Sequence, residues 1–147
     1  MTEIHFYTGL PDKVSYACNL VSKAVQRGKR VVVYSRNAEL LKRFDQALWS
    51  SEPLSFVPHV MQNDALAAVT PVLLAATAPE QAEPLAHHEV LVNLDQELPK
   101  FFSRFDYLME LVEQDEQDSL AARERWKFYK QRGYSIEHHQ KSGAQHG

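Results

Sequence analysis

The sequence predicts an α/β fold, a mostly parallel sheet flanked by helices. Two observations carry this. Over the first 49 residues the hydrophobic period alternates between that of a strand and that of a helix, giving strand, helix, strand, helix. Residues 30–34 and 89–94 are short, nearly continuous apolar runs, the pattern of strands covered on both faces.

Each element has its own justification. Ile4-His5-Phe6-Tyr7 is a β-branched and aromatic run, ended by Gly9, Pro11 and Asp12. Val14, Ala17, Cys18, Val21 and Val25 then recur at helical spacing, and Gly28 supplies a helix C-cap. Arg30-Val31-Val32-Val33-Tyr34 is the second strand. Asn37 is placed to cap a second helix, with Leu41, Phe44 and Leu48 on one face and Trp49 at its end. Residues 54–60 form a short strand interrupted by Pro58, and residues 72–75 another. Residues 77–88, with Pro79 and Pro84, read as a surface loop. Residues 104–112 fit two patterns: Phe105, Tyr107, Met109 and Leu111 have strand period, whereas Phe101, Phe105, Leu108 and Val112 have helical spacing. The last helix opens on Asp115-Glu116-Gln117-Asp118 and closes with Lys130, Arg132 and Gly133, charges that complement the helix dipole at both ends. Residues 1–137 are read as one domain and residues 138–147 as a disordered tail.

With 147 residues, 44% of them hydrophobic and 24% charged, the chain has the composition of a soluble globular domain. No apolar run approaches the roughly 20 residues of a membrane span, and Met1-Thr2-Glu3-Ile4-His5 has neither the basic stretch nor the apolar core of a signal peptide. Cys18 is the only cysteine, which fits a reducing, cytoplasmic setting. A net charge of -3 argues against strong direct binding to nucleic acid, because each phosphate contact needs a cation.

The chain lacks the signatures of a catalyst. After the first strand, Thr8-Gly9-Leu10-Pro11-Asp12-Lys13 has one glycine where a dinucleotide site needs three, and no Gly-Lys-Ser/Thr phosphate loop occurs. His87 and His88 are adjacent, so their rings diverge, and His59 stands alone; no metal site is expected from them. Asp45, Asp95 and Asp106 are scattered, with nothing to pair them as acid and base. No catalytic residue, cofactor or metal is expected.

Two stretches stand out. Around Trp49 and Phe56, aromatics lie beside Pro53 and Pro58 after a helix. They form either an exposed partner surface or a plug at the sheet edge. Five cations and one acid occupy positions 123–132. Arg123, Lys127 and Lys130 share one helix face, with Trp126 beside them. That stripe suits an acidic peptide or a phosphate backbone. It also fits a solvated face whose Trp126 and Tyr129 belong to the core.

Together these stretches resemble the chi-subunit family of the bacterial DNA polymerase III holoenzyme. The likeness rests on Gly28-Lys29-Arg30-Val31, Arg43-Phe44-Asp45-Gln46-Ala47-Leu48-Trp49, Ser55-Phe56-Val57-Pro58-His59, Ala122-Arg123-Glu124-Arg125-Trp126-Lys127 and Gly133-Tyr134. It runs in order from Phe6-Tyr7 to Tyr134 and is poorest over residues 61–88. The resemblance implies a Rossmann-like three-layer fold without a nucleotide, and an accessory subunit without a catalytic site. It implies pairing with the small psi subunit, which tethers chi to the clamp loader, as a monomer or a 1:1 heterodimer. It also implies capture of the acidic C-terminal tail of single-stranded DNA-binding protein, with nucleic acid met only indirectly. Trp49 and Phe56 stand where family members contact psi. Arg123, Trp126 and Lys127 stand where they bind the tail, with Val112 and Ser119 at neighbouring positions and Lys130 set toward the acidic stretch. Trp126 replaces a tyrosine familiar in the family, and Ser119 takes a place that can be a lysine. The rival readings are a small nucleotide-binding enzyme on the same fold and a direct single-stranded DNA binder using residues 123–132.

Overall fold

A computed structural model gives the fold; it describes residues 1–50, 57–79 and 85–141. The elements are β1 (Glu3–Leu10), α1 (Lys13–Gln26), β2 (Val31–Tyr34), α2 (Ala38–Ser50), β3 (His59–Met61), β4 (Val72–Ala75), β5 (Val90–Asn93), β6 (Tyr107–Glu113), α3 (Glu116–Gln131) and β7 (Ile136–Gln140). The strands make one seven-stranded sheet in the order β3-β4-β2-β5-β6-β1-β7. Every pairing in it is parallel.

Alternation along the central strands divides the core between the two faces of the sheet. Val31 and Val33 of β2, Leu74 of β4 and Val92 of β5 point to one face, where Val14, Ala17 and Val21 of α1 and Leu41, Phe44 and Leu48 of α2 cover them. Val32, Tyr34, Leu73 and Leu91 point to the other face, under Ala122 and Tyr129 of α3 and the aromatics Phe101, Phe102 and Phe105 of the segment before β6. Side chains buried to this degree contribute roughly 1.5–3 kcal/mol each, so both faces must be covered. This is the three-layer α/β arrangement expected.

The helix ends follow their capping residues. Asp12 accepts from the Val14 N–H at the start of α1, Asn37 from the Glu39 and Leu40 N–H groups at α2, and Asp115 from the Asp118 N–H at α3. Gly28 and Gly133 follow α1 and α3 at φ 77° and 81°, a backbone region that L side chains rarely adopt. The strand reading of residues 104–112 holds from Tyr107 onward, preceded by a 3-10 turn at Phe102–Arg104.

Two readings need correction. Of the expected strand at residues 54–60, residues 51–56 lie outside the described residues; of Val57 to Val60, His59 and Val60 enter a strand, β3, and Pro58, which cannot donate to a ladder, precedes it. The tail does not begin at 138: residues 136–140 are β7, paired with β1 from Ile4↔Ile136 to Thr8↔Gln140. This strand is polar (Ile-Glu-His-His-Gln) and lies at the sheet edge, so it carries no hydrophobic run to announce it. Among the described residues no helix is long and apolar enough to cross a membrane.

Candidate functional site

A cavity of about 470 Å³ opens between α3 and the β6-β1-β7 edge of the sheet. Ser119, Ala122, Arg123, Trp126 and Lys127 of α3 wall it, at the i, i+3, i+4, i+7 spacing that puts them on one helix face. Val112 of β6 and Phe6 of β1 form its apolar floor, and Thr8 and His138 its far wall. Five of the residues singled out in the sequence, Val112, Ser119, Arg123, Trp126 and Lys127, therefore meet around one space. Lys130 lies outside its lining, exposed one turn further along α3.

Trp126 is half-buried, packed against the core on one side. Its ring packs on Phe6 at 5.1 Å and meets the His138 ring edge-on at 5.7 Å, leaving indole surface toward the cavity. Tyr129 is fully buried and does belong to the core. Arg123 is exposed and, among the described residues, forms no ion pair, while Lys127 reaches Glu124 at 3.5 Å. No carboxylate lines the cavity among the described residues. An apolar floor, an indole wall and a cationic rim suit a ligand with an apolar side chain next to negative charge.

What holds α3 in position is a buried polar network. Glu110 of β6 is fully buried; it accepts from Arg125 Nε at 3.0 Å, Asn93 Nδ2 at 2.8 Å and the Tyr129 hydroxyl at 2.6 Å. Arg125 also donates to the Gln96 carbonyl. Burial and the Glu110 carboxylate push the Tyr129 hydroxyl far above its ordinary value, so it stays a donor. At the start of α3, Asp118 is buried and paired with the equally buried Lys13 of α1 at 2.9 Å. Acids that looked like dipole decoration in the sequence thus include a core residue. Arg125, one of the five cations, faces inward, so the stripe is Arg123, Lys127 and Lys130. Arg132 is set apart from it, lying over the Phe128 ring at 4.5 Å.

Trp49 ends α2 with 63% of its surface exposed and its ring edge-on to His59 at 5.7 Å. His59 in turn bridges the Val57 carbonyl at 2.7 Å and Asp45 at 2.8 Å, tying the start of β3 to α2. Between its two readings, plug or surface, Trp49 is a surface residue. Phe56 lies outside the described residues.

The crevice at the carboxyl ends of the strands, where open α/β sheets bind nucleotides, is built differently. Connections leave β2 and β5 in opposite directions, which makes this pair the switch point. Arg36 after β2 and Asp95 after β5 close it with three hydrogen bonds, one from the Arg36 backbone N–H at 2.8 Å and two from its guanidinium at 2.9 and 3.1 Å. The first N–H groups of α1, which would meet a pyrophosphate, are taken: Glu113 accepts from the Lys13 N–H at 2.9 Å and Asp12 from that of Val14 at 3.1 Å. Asp115, Asp118 and Glu97 also line the space. A phosphate there would face carboxylates instead of donors. Cys18 offers no chemistry either, since burial, assisted by Asp12, pushes its thiol up to about 11.

Sequence reasoning missed Phe6, Thr8 and His138 as cavity residues. Phe6 was read only as part of a strand, Thr8 as part of the turn after it, and His138 was assigned to the tail.

The family model "DNA polymerase III chi subunit, HolC" matches residues 1–137. The DNA polymerase III subunit chi of Pseudomonas aeruginosa is 31% identical over 144 residues, covering 95% of this chain and 96% of the relative. That of Haemophilus influenzae is 29% identical over 120 residues, covering 82% and 81%. That of Escherichia coli K12 is 26% identical over 128 residues, covering 87% and 85%. The chain belongs to the chi-subunit family of DNA polymerase III, accessory subunits of the replication machinery.

Proposed function

We propose that this protein is an adaptor in the cytoplasm: through psi it joins the clamp-loader complex, and through the α3 cavity it captures the C-terminal tail of single-stranded DNA-binding protein. The observation that carries the reading is the meeting of Val112, Ser119, Arg123, Trp126 and Lys127 around one apolar-floored, cation-rimmed space. Such a tail ends in acidic residues, an apolar pair and a free carboxylate. Its last side chain enters between Trp126, Phe6 and Val112, the Arg123 fork takes the terminal carboxylate, and Lys127 and Lys130 meet the acidic stretch. Ser119 removes one cation that relatives can carry, which leaves Arg123 as the main charged anchor. Trp49, with Phe56, serves the psi contact, as a large exposed aromatic on a rigid helix end. The protein acts as a monomer or a 1:1 heterodimer with psi, and nucleic acid is reached only through its protein partner.

The test is a titration of a labelled tail peptide followed by fluorescence anisotropy. Arg123→Ala weakens binding by about 2 kcal/mol, roughly 30-fold, and amidating the peptide's terminal carboxylate has a comparable effect. Trp49→Ala binds the peptide normally and fails to co-purify with psi. Peptide binding unchanged by Arg123→Ala would overturn the assignment.

A further inference from the structure

Outside the cavity and the crevice, one more cluster of chemistry-bearing side chains lies on the opposite face of the β1-β7 edge. The parallel register sets His5 against Glu137 and Tyr7 against His139, so Glu3, His5, Glu137 and His139 emerge on one face, while Phe6 and His138 emerge on the cavity face. His5 Nε2 lies 2.6 Å from Glu3 Oε2 and 3.8 Å from Glu137 Oε2. One ligand atom from each of these three residues lies within 4.8 Å of the other two. Around a tetrahedral ion with bonds of about 2.0–2.2 Å the ligand atoms stand roughly 3.4 Å apart, between the two separations from His5, so small side-chain shifts admit the ion.

We infer that Glu3, His5 and Glu137 form a binding site for a divalent transition metal of the zinc class. One imidazole with two carboxylates is a donor set that suits a borderline ion better than calcium or magnesium, which take oxygen shells. His5 side-chain exposure is only 13%, against 45% for Glu3 and 59% for Glu137. The imidazole is therefore a fixed anchor, and the carboxylates close on the ion from the solvent side. With the metal on Nε2 the ring proton of His5 sits on Nδ1, and His139 Nε2 lies 3.0 Å from that atom to accept it. His139 is held for this by stacking on His5 at 5.3 Å and on Tyr7 at 4.5 Å. It is a positioning residue, in the way that partners behind metal-bound histidines are. Such an ion fastens β7, an edge strand, to β1. The same strand presents His138 to the α3 cavity from its other face.

The experiment uses the full chain without an affinity tag, stripped with a chelator, and titrated with Zn²⁺ against a chromophoric chelator. One ion binds per chain. His5→Ala weakens binding by more than about 100-fold, and His139→Ala, which removes no ligand, by roughly 10–100-fold. The double variant Glu3→Gln/Glu137→Gln changes only partly exposed side chains and keeps the fold; it loses binding as His5→Ala does. His138→Ala, on the other face, leaves the affinity unchanged. Zn²⁺ also raises the melting temperature of the wild type and not of the double variant. The site does not exist if the wild type binds no Zn²⁺ at micromolar concentration, or if the double variant binds as tightly as the wild type. An equal loss from His138→Ala would also overturn it, because scattered histidines would then be responsible.

Discussion

The cavity beneath α3 and the crevice at the strand ends have similar volumes, about 470 and 540 Å³, and opposite chemistry. The crevice is where an α/β sheet ordinarily places a ligand, yet here its donors are consumed internally: Arg36 by Asp95, Lys13 by Asp118 and the start of α1 by Glu113 and Asp12. In the cavity the floor is apolar, and Arg123 on its rim forms no ion pair among the described residues. The fold has turned its usual ligand site into structural bracing, and in the function proposed above recognition falls to the side of a helix. Two buried ion pairs, Lys13–Asp118 and Arg125–Glu110, fix the helix that carries the cavity. Bracing at the strand ends thus also positions the helix that walls the cavity.

The largest test of this contrast is Glu110→Ala. It leaves the Arg125 guanidinium buried without its partner, an arrangement that costs about 3–5 kcal/mol. Urea unfolding measures this, and the tail peptide should bind poorly to the variant even where it remains folded, because α3 loses its register on β6. A loss below about 1 kcal/mol would mean that the network is not what holds α3.

In the crevice the expected effects are smaller. Burial alone would raise the Asp95 carboxyl, but the Arg36 side chain and the backbone N–H groups of Arg36 and Glu97 bring it down to about 2. A carboxyl lowered in the folded state stabilises the protein above its unfolded value, near ~4. That contribution disappears as the pH falls from there through about 2. Arg36 is half-exposed, so solvent screening keeps the pair's contribution small. Arg36→Ala should be slightly less stable than wild type at pH 7, with the two curves converging between pH ~4 and ~2. Its peptide binding stays unchanged. A shift in peptide affinity would show that crevice and cavity are coupled more tightly than the bracing requires.

How much of this was legible from residues alone depends on the kind of signal each element carries. β2 and β5 declare themselves because a strand buried on both faces must be apolar throughout. The stripe on α3 is visible because helical spacing is local: Arg123, Lys127 and Lys130, with Trp126 beside them, need no knowledge of the rest of the fold to share a face, whereas Ser119 enters only through the family resemblance. Glu110, Arg125 and Asp118 were not legible as core residues. A buried charge looks like a surface charge until its partner is known, and Lys13 lies far from Asp118 in the chain. β7 was lost for a related reason, since a polar edge strand is defined by the ladder it joins and not by its own composition. The cluster of Glu3, His5 and Glu137 depends on that same pairing, so no spacing rule along the chain could reveal it.

The smallest expected effect separates two ways in which α3 can recognise an acidic tail. Lys130 shares the stripe with Arg123 but lies outside the cavity, exposed to solvent. At physiological salt, charges are screened beyond about 8 Å, so a rim cation contributes mainly to the rate of encounter. Lys130→Ala should weaken the peptide by no more than about 0.5 kcal/mol, acting on association and fading as salt is raised. Arg123→Ala acts on dissociation and persists at high salt. If the two substitutions instead cost the same and vanish together in salt, α3 attracts the tail as a diffuse positive surface. The apolar floor formed by Phe6, Val112 and Trp126 would then have no part in choosing it.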